Sequence, residues 1–266
     1  MNIVEAIILG VVQGLAEFLP ISSSGHLVIA QKLLGINSAS FSFGVIVHAA
    51  TLCATVIVFR QKLIQICCSL FRAQNQKSAQ DHQNLKLLYL IISTTLVTGT
   101  LGLLLNDFFK SQFNSLRSVG LGLIFTGALM FLPQWIKPQN KTSFQKTSLL
   151  KAILIGLAQA FALLPGVSRS GSTIVSGLLL GFDRQDAGQY AFLISIPVIL
   201  GALIFELKDL SHIDGASWRV LFCGFWAAFA SGWVALKFLL KWIRQGKLYY
   251  FGLYCWLVAI LVLWRW

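Results

Sequence analysis

Apolar residues run along this chain in long, nearly uncharged blocks, without the strict alternation of a half-buried sheet. Six blocks, at 41–59, 87–105, 116–132, 190–205, 220–236 and 248–264, approach the ~20 residues that cross a hydrocarbon core. They predict six transmembrane α-helices. A barrel is the wrong reading, since its strands are only ~10 residues long and alternate. Two other stretches are apolar but interrupted: 3–19 and 24–36 flank Pro20 and a serine run, and 150–182 carries a similar break. A broken helix that simply spanned would leave unpaired backbone groups in lipid. Each stretch therefore predicts a re-entrant helical hairpin whose tip is buried in protein or lines a wet cavity. The expected fold class is an all-α polytopic membrane protein.

The two interruptions are related. QGLAEFLPISSSG at 13–25 returns as QAFALLPGVSRSG at 159–171 without a gap at an offset of 146. Gly10, Gln13 and Ala16 meet Gly156, Gln159 and Ala162; Ser22, Ser24 and Gly25 meet Ser168, Ser170 and Gly171. The match resumes at Leu33-Leu34-Gly35 and Leu179-Leu180-Gly181. One integral membrane domain over 1–266 is expected, with internal repeats at about 1–134 and 147–266. The copies differ in charge, for Glu17 and His26 occur only in the first and Arg169 only in the second. Two related halves with different chemistry predict one composite site.

Composition agrees with a bilayer as solvent. Of 266 residues, 56% are hydrophobic and 11% charged, more apolar surface than a soluble domain of this size hides. The net charge of +12 raises the question of nucleic acid, but its distribution answers it. Arg60, Lys62, Arg72, Lys77 and Lys86 surround one connection, Lys137, Lys141, Lys146 and Lys151 another, and Lys237, Lys241, Arg244 and Lys247 a third. The connections near 106–117 and 207–217 are poor in basic residues and carry Asp107, Asp209 and Asp214. Positive residues stay on the cytoplasmic side, so the first three connections are expected inside and the other two outside. The first hairpin then enters from outside and the second from inside, an inverted-topology repeat. Trp135, Trp218, Trp242, Trp264 and Trp266 near the block ends suit interfacial anchors. The apolar start at 7–12 lacks a basic leader and is interrupted by Gln13 and Glu17, so it is expected to be mature sequence. The five cysteines (Cys53, Cys67, Cys68, Cys223, Cys255) show no ligand spacing and are expected to be inert.

The candidate chemistry lies at the two tips. Ser22-Ser23-Ser24-Gly25 opens a helix at 24–36, and Ser168-Arg169-Ser170-Gly171-Ser172-Thr173 opens one at 172–181. Hydroxyls and free N–H groups at a helix N-terminus form an anion site. Arg169 adds a phosphate-type donor at a depth where a bare guanidinium is costly. Ordinary capping accounts for neither the arginine nor the repetition. Gln13 and Glu17 share one helical face just before the first tip. Glu17 suits a divalent cation shared with phosphate oxygens, or the orientation of a nucleophile; an ion pair with Arg169 is the structural alternative. His26 follows Ser23 closely enough to act on its hydroxyl or on a leaving group. His48, in the block 41–59, is the weaker candidate and suits a bond between helices.

Gln13-Gly-Leu-Ala-Glu17-Phe-Leu-Pro20-Ile-Ser-Ser-Ser-Gly-His26 and Pro165-Gly-Val-Ser168-Arg169-Ser170-Gly-Ser-Thr173 closely resemble the two signatures of the bacterial undecaprenyl-diphosphatase family, also called the bacitracin-resistance protein. The likeness extends over the chain in length, hydropathy and repeat order. It implies removal of a phosphate from undecaprenyl diphosphate, a divalent cation (Mg2+ or Ca2+), and a site on the outer face of the plasma membrane. Carried over by position, it makes Glu17, Ser23, His26 and Arg169 catalytic. Ser22, Ser168, Ser170 and Thr173 become diphosphate ligands, and Glu17 with Gln13 the metal ligands. Many members have a second glutamate where this chain has Gln13, so one carboxylate and one neutral carbonyl remain for the cation. Ser23 is either a nucleophile activated by His26 or Glu17, or a phosphate ligand while water attacks.

Two other readings compete. Acid phosphatases of the PAP2 type need a histidine where this chain has Val175 and an aspartate where it has Leu179, and are excluded. A polyprenyl-phosphate flippase would use the same midplane anion cradle without a nucleophile. The expected partners are a polyprenyl diphosphate lipid and the bilayer, with bacitracin competing for the substrate by the resemblance, and no nucleic acid. A homodimer stays open, because packing and lipid-facing surfaces are equally apolar.

Overall fold

The computed structural model describes residues 1–36, 41–113, 115–135, 147–207 and 217–266. Among them there is no strand. The α-helices are α1 (Ile3–Phe18), α2 (Ser23–Leu33), α3 (Phe41–Phe71), α4 (Ala79–Leu104), α5 (Asn106–Gln112), α6 (Leu116–Trp135), α7 (Leu149–Phe161), α8 (Arg169–Leu179), α9 (Arg184–Leu207), α10 (Trp218–Gln245) and α11 (Tyr249–Arg265). Five of them, α3, α4, α6, α9 and α10, are long and apolar enough to cross a membrane. The chain is a multi-pass membrane protein.

Every expected apolar block is a helix, but the boundaries move. Helix α3 runs to Phe71, past the basic residues at 60 and 62 that mark the end of the apolar block, and α4 begins at Ala79, ahead of Lys86. Long lysine and arginine stems let a helix continue beyond the hydrocarbon while the charge reaches water. The connection proper is closed by Asp81, which accepts from Ser69 Oγ at 2.8 Å, Arg72 Nη1 at 2.8 Å and Ser78 Oγ at 2.7 Å. The sixth expected span is α11, with 17 residues. At ~1.5 Å per residue it reaches roughly 26 Å, short of the ~30 Å core. Helix α5 lies in a connection that the hydropathy pattern leaves unassigned. Lys137, Lys141, Lys146, Asp209 and Asp214 lie outside the described residues.

The interrupted stretches are paired short helices, α1 with α2 and α7 with α8. The tightest packing places α1 on α10, and α7 sits on α4. Gly10 and Gly14, four apart on α1, face Gly224, Ala228 and Gly232 on α10. A Cβ on Gly10 would lie 2.6 Å from the Gly224 carbonyl oxygen, so the backbones touch where only glycine fits. Small residues at this spacing are how helices associate when lipid is as apolar as leucine. On the other side, Thr94 and Thr98 of α4 donate to the carbonyls of Ala152 (3.0 Å) and Gly156 (3.1 Å) on α7. Helix α6 packs along α11, and α3 lies between α9 and α10. This frame holds the two tips against each other.

Candidate functional site

Each tip is built alike. Ser22 Oγ accepts from the Gly25 N–H at 3.3 Å and capping α2 is its result; Ser168 Oγ accepts from the Gly171 N–H at 3.1 Å and caps α8. The paired hydroxyls Ser22 and Ser24 lie 3.3 Å apart, and Ser168 and Ser170 lie 3.2 Å apart. The tips also cross reciprocally. A Cβ on Gly25 would stand 3.2 Å from Gly166 Cα, and one on Gly171 would stand 3.2 Å from Pro20 Cβ. Pro20 and Gly166 occupy the same place in the two repeats, so the glycine of each tip lies close against the turn of the other. Thr126 ties the second tip to α6 by donating to the Gly166 carbonyl at 2.8 Å and accepting from the Ser168 N–H at 2.9 Å.

The tips differ in one backbone feature. Ser22 has φ 71°, the left-handed region, whereas Ser168 has φ −78°; the second tip makes its left-handed turn at Gly166, with φ 85°. A serine held there costs on the order of 1–3 kcal/mol and persists because the surroundings over-determine it. The turn directs Ser23 back toward α1.

Glu17 is the centre of the site. Its Oε1 accepts from Arg169 of the other repeat. Its Oε2 accepts from Ser23 Oγ at 2.6 Å and Gln13 Nε2 at 3.0 Å, and lies 4.0 Å from His48 Nε2. The carboxylate is buried and the guanidinium nearly so, and each neutralises the charge that makes the other costly at this depth. A cavity of about 190 Å³ opens beside them. Glu17, Ser23, Ser24, His48, Ser168 and Arg169 form its polar wall; Phe113, Leu163, Val198, Ile199 and Leu203 form an apolar one. It is smaller than the ~300–1,000 Å³ of drug-sized pockets.

Of the expected site residues, Glu17, Ser23, Ser168 and Arg169 come together on the cavity. Ser22, Ser170 and Thr173 are buried behind it: Ser22 caps, Ser170 Oγ donates to the Leu19 carbonyl at 3.3 Å, and Thr173 Oγ1 donates to the Arg169 carbonyl at 2.9 Å. His26 does not line the cavity. Its Nδ1 donates to the Ser22 carbonyl at 2.9 Å, so its Nε2 accepts from Tyr254 of α11, also at 2.9 Å. The imidazole stacks on the Tyr254 ring with centroids 5.5 Å apart. His48, the lesser candidate from sequence, is the histidine that faces Glu17. Its signal was a single imidazole in an otherwise uncharged block, near the start of α3.

The residues around Glu17 Oε2 suit a divalent cation only in part by themselves. Among the described residues no three His, Cys, Asp or Glu side chains form a metal cluster. The neutral donors Gln13, Ser23 and His48 do converge on this one oxygen. Gln13 Oε1 is buried with no hydrogen-bond partner among the described residues, and rotation of the amide would turn it toward Glu17 in exchange for the Nε2 bond. One carboxylate with such donors fits a cation that takes much of its shell from phosphate oxygens.

A carboxylate from the end of α1, a serine from the first tip and an arginine from the second line one cavity among apolar helices. Residues 6–261 match the family described as bacitracin resistance protein BacA, and the chain belongs to that family. It is 41% identical over 265 residues to an undecaprenyl-diphosphatase of Halothermothrix orenii, covering 99% of this chain and 98% of the relative. It is 43% identical over 256 residues to one of Treponema denticola, at 96% and 94% coverage, and 39% identical over 267 residues to one of Carboxydothermus hydrogenoformans, at 99% and 97%.

Proposed function

We propose that the cavity between the two tips is where undecaprenyl diphosphate loses its terminal phosphate. The protein is an undecaprenyl-diphosphatase: it hydrolyses the lipid diphosphate to undecaprenyl phosphate and inorganic phosphate, returning the carrier to cell-wall synthesis. The observation that carries the assignment of the site is the convergence of Glu17, Ser23 and Arg169 on one cavity from separate repeats.

Arg169 and Ser168 bind the terminal phosphate, and the α2 and α8 N-termini add their positive ends. Ser23 Oγ, already donating to Glu17 at 2.6 Å, is the nucleophile, and Glu17 takes its proton. The serine oxygen bonds to the terminal phosphorus as the bond from phosphorus to the bridging oxygen breaks, and undecaprenyl phosphate leaves with that bonding pair. The leaving phosphate carries the Glu17 proton away; water then attacks the phosphoserine, one of its protons passes through Glu17 to the departing serine oxygen, and inorganic phosphate is released. His26 acts at a distance, holding the Ser22–Ser24 turn against α11. Gln13 and Glu17 would hold a divalent cation, Mg2+ or Ca2+, whose chemistry is neutralisation of the diphosphate charge. The polyprenyl chain leaves along the apolar wall toward the lipid.

The same reading extends to topology. Six spans with two hairpins entering from opposite faces are supported by reciprocal packing, α1 on α10 against α7 on α4, and by the crossed glycine contacts of the tips. An outward-facing site is supported by Phe113, which belongs to a connection poor in basic residues, and by His48 near the outer start of α3. Phosphate release from a prenyl diphosphate by the purified protein in detergent tests the assignment, with Mg2+, with chelator, and with Glu17→Ala and Arg169→Ala. Release that depends on the cation and disappears in both variants is expected. A folded protein that binds prenyl phosphate but releases none would instead be a carrier.

A further inference from the structure

We propose that His48 is a nitrogen ligand of the divalent cation in this chain, completing a site that has only one carboxylate. The inference rests on the diphosphatase reading for the presence of a cation, but it concerns which side chains hold it.

The tautomer follows from one hydrogen bond. His48 Nδ1 lies 2.8 Å from the Gly44 carbonyl oxygen, one turn earlier on α3. A carbonyl only accepts, so Nδ1 carries the proton, and in the neutral ring the lone pair is then on Nε2. Fixing the far nitrogen through a backbone carbonyl is how metal-binding histidines are oriented. Nε2 faces Glu17 Oε2 at 4.0 Å. An ion with ligand bonds of about 2.1 Å bridges that separation.

The division of labour on Glu17 agrees. Arg169 takes Oε1, leaving Oε2 to Gln13, Ser23 and His48. Gln13 is fully buried, and among the described residues its Oε1 has no hydrogen-bond partner. His26 is no substitute, because Tyr254 already occupies its Nε2. A nitrogen donor in place of a second carboxylate also changes selectivity. Imidazole binds first-row transition ions better than the hard Ca2+, so Mn2+ should hold this site more tightly than Ca2+.

Electron spin-echo spectroscopy of Mn2+ added to the purified, full-length protein reads the ligand directly. Wild type should show the ¹⁴N modulation of a coordinated imidazole, retained in His26→Gln and lost in His48→Gln. The Mn2+ dissociation constant should rise by roughly tenfold or more in His48→Gln, at or above the usual cost of disturbing a metal ligand. Excess Ca2+ should displace Mn2+ far more readily from that variant than from wild type. The glutamine conserves bulk and hydrogen bonding, and an unchanged elution volume and melting temperature certify its fold. Wild type that fails to bind Mn2+, or binds it with no ¹⁴N modulation, or modulation that survives in His48→Gln, overturns the proposal. Phosphate release on the same samples separates the two readings, since turnover without the nitrogen signal removes His48 from the metal and leaves the diphosphatase intact.

Discussion

Replacing Glu17 by glutamine keeps the shape of the side chain and removes its charge. Arg169 then stands in a side-chain environment only 16% exposed, without the carboxylate that neutralises it. Breaking a buried pair by deleting one partner costs about 3–5 kcal/mol. At about 2–4 °C per kcal/mol for a chain of this size, the melting temperature should fall by roughly 6–20 °C. The double variant Glu17→Gln/Arg169→Gln removes both charges, and a neutral pair in place of a buried ion pair is often close to isoenergetic. It should therefore recover most of the lost stability, while phosphate release stays at background in both. Thermal unfolding in one detergent and a phosphate assay on the same preparations measure the two effects. A double variant no more stable than Glu17→Gln would show that the charges are not coupled, and the site as drawn would be wrong.

Arg169→Lys keeps the charge but loses the fork that reaches Glu17 and phosphate together, so kcat/KM should fall by about 10²–10³, the loss typical of one preorganised donor; a change below tenfold would argue against phosphate contact. Ser23→Ala should abolish formation of a phosphoserine in rapid-quench labelling with terminally labelled substrate, and full activity in that variant would leave water as the nucleophile. Gly14→Val forces a branched side chain against the Ala228 carbonyl and Ser231 of α10, and should destabilise by about 1–3 kcal/mol or more, read as a lower melting temperature at unchanged KM in the surviving fraction. Cysteines placed at 75 and 113 should label from opposite sides of the membrane, 75 from the cytoplasm and 113 from outside; the reverse pattern would overturn the orientation.

Much of the site was legible because the chemistry recurs in the chain. Ser22–Gly25 and Ser168–Gly171 repeat with their spacing intact, and an arginine and a glutamate at membrane depth are too costly to be incidental. Glu17, Ser23, Ser168 and Arg169 could be named from those facts alone. The histidines are another matter: the sequence ranks His26 above His48, whereas of the two the fold sets His48 on the cavity. His26 stands among polar neighbours in the chain, which drew attention to it, yet its ring is turned to the Ser22 carbonyl and Tyr254, a residue 228 positions away. His48 stands among apolar neighbours and faces Glu17 from another helix.

The pattern of residues determined that this is a helical membrane protein, where its chain breaks, and which polar side chains lie at the breaks. Those properties depend on local composition and on periodicity, which every residue shares with its neighbours in sequence. Tertiary structure decided how the parts meet: that Gly10 and Gly14 let α1 lie on α10, that Arg169 pairs with Glu17, and that His48 stands 4.0 Å from Glu17. Lipid gives one apolar helix face no preference over another. The choice falls to glycine contacts and polar bonds between segments far apart in the chain, and only the folded molecule displays those.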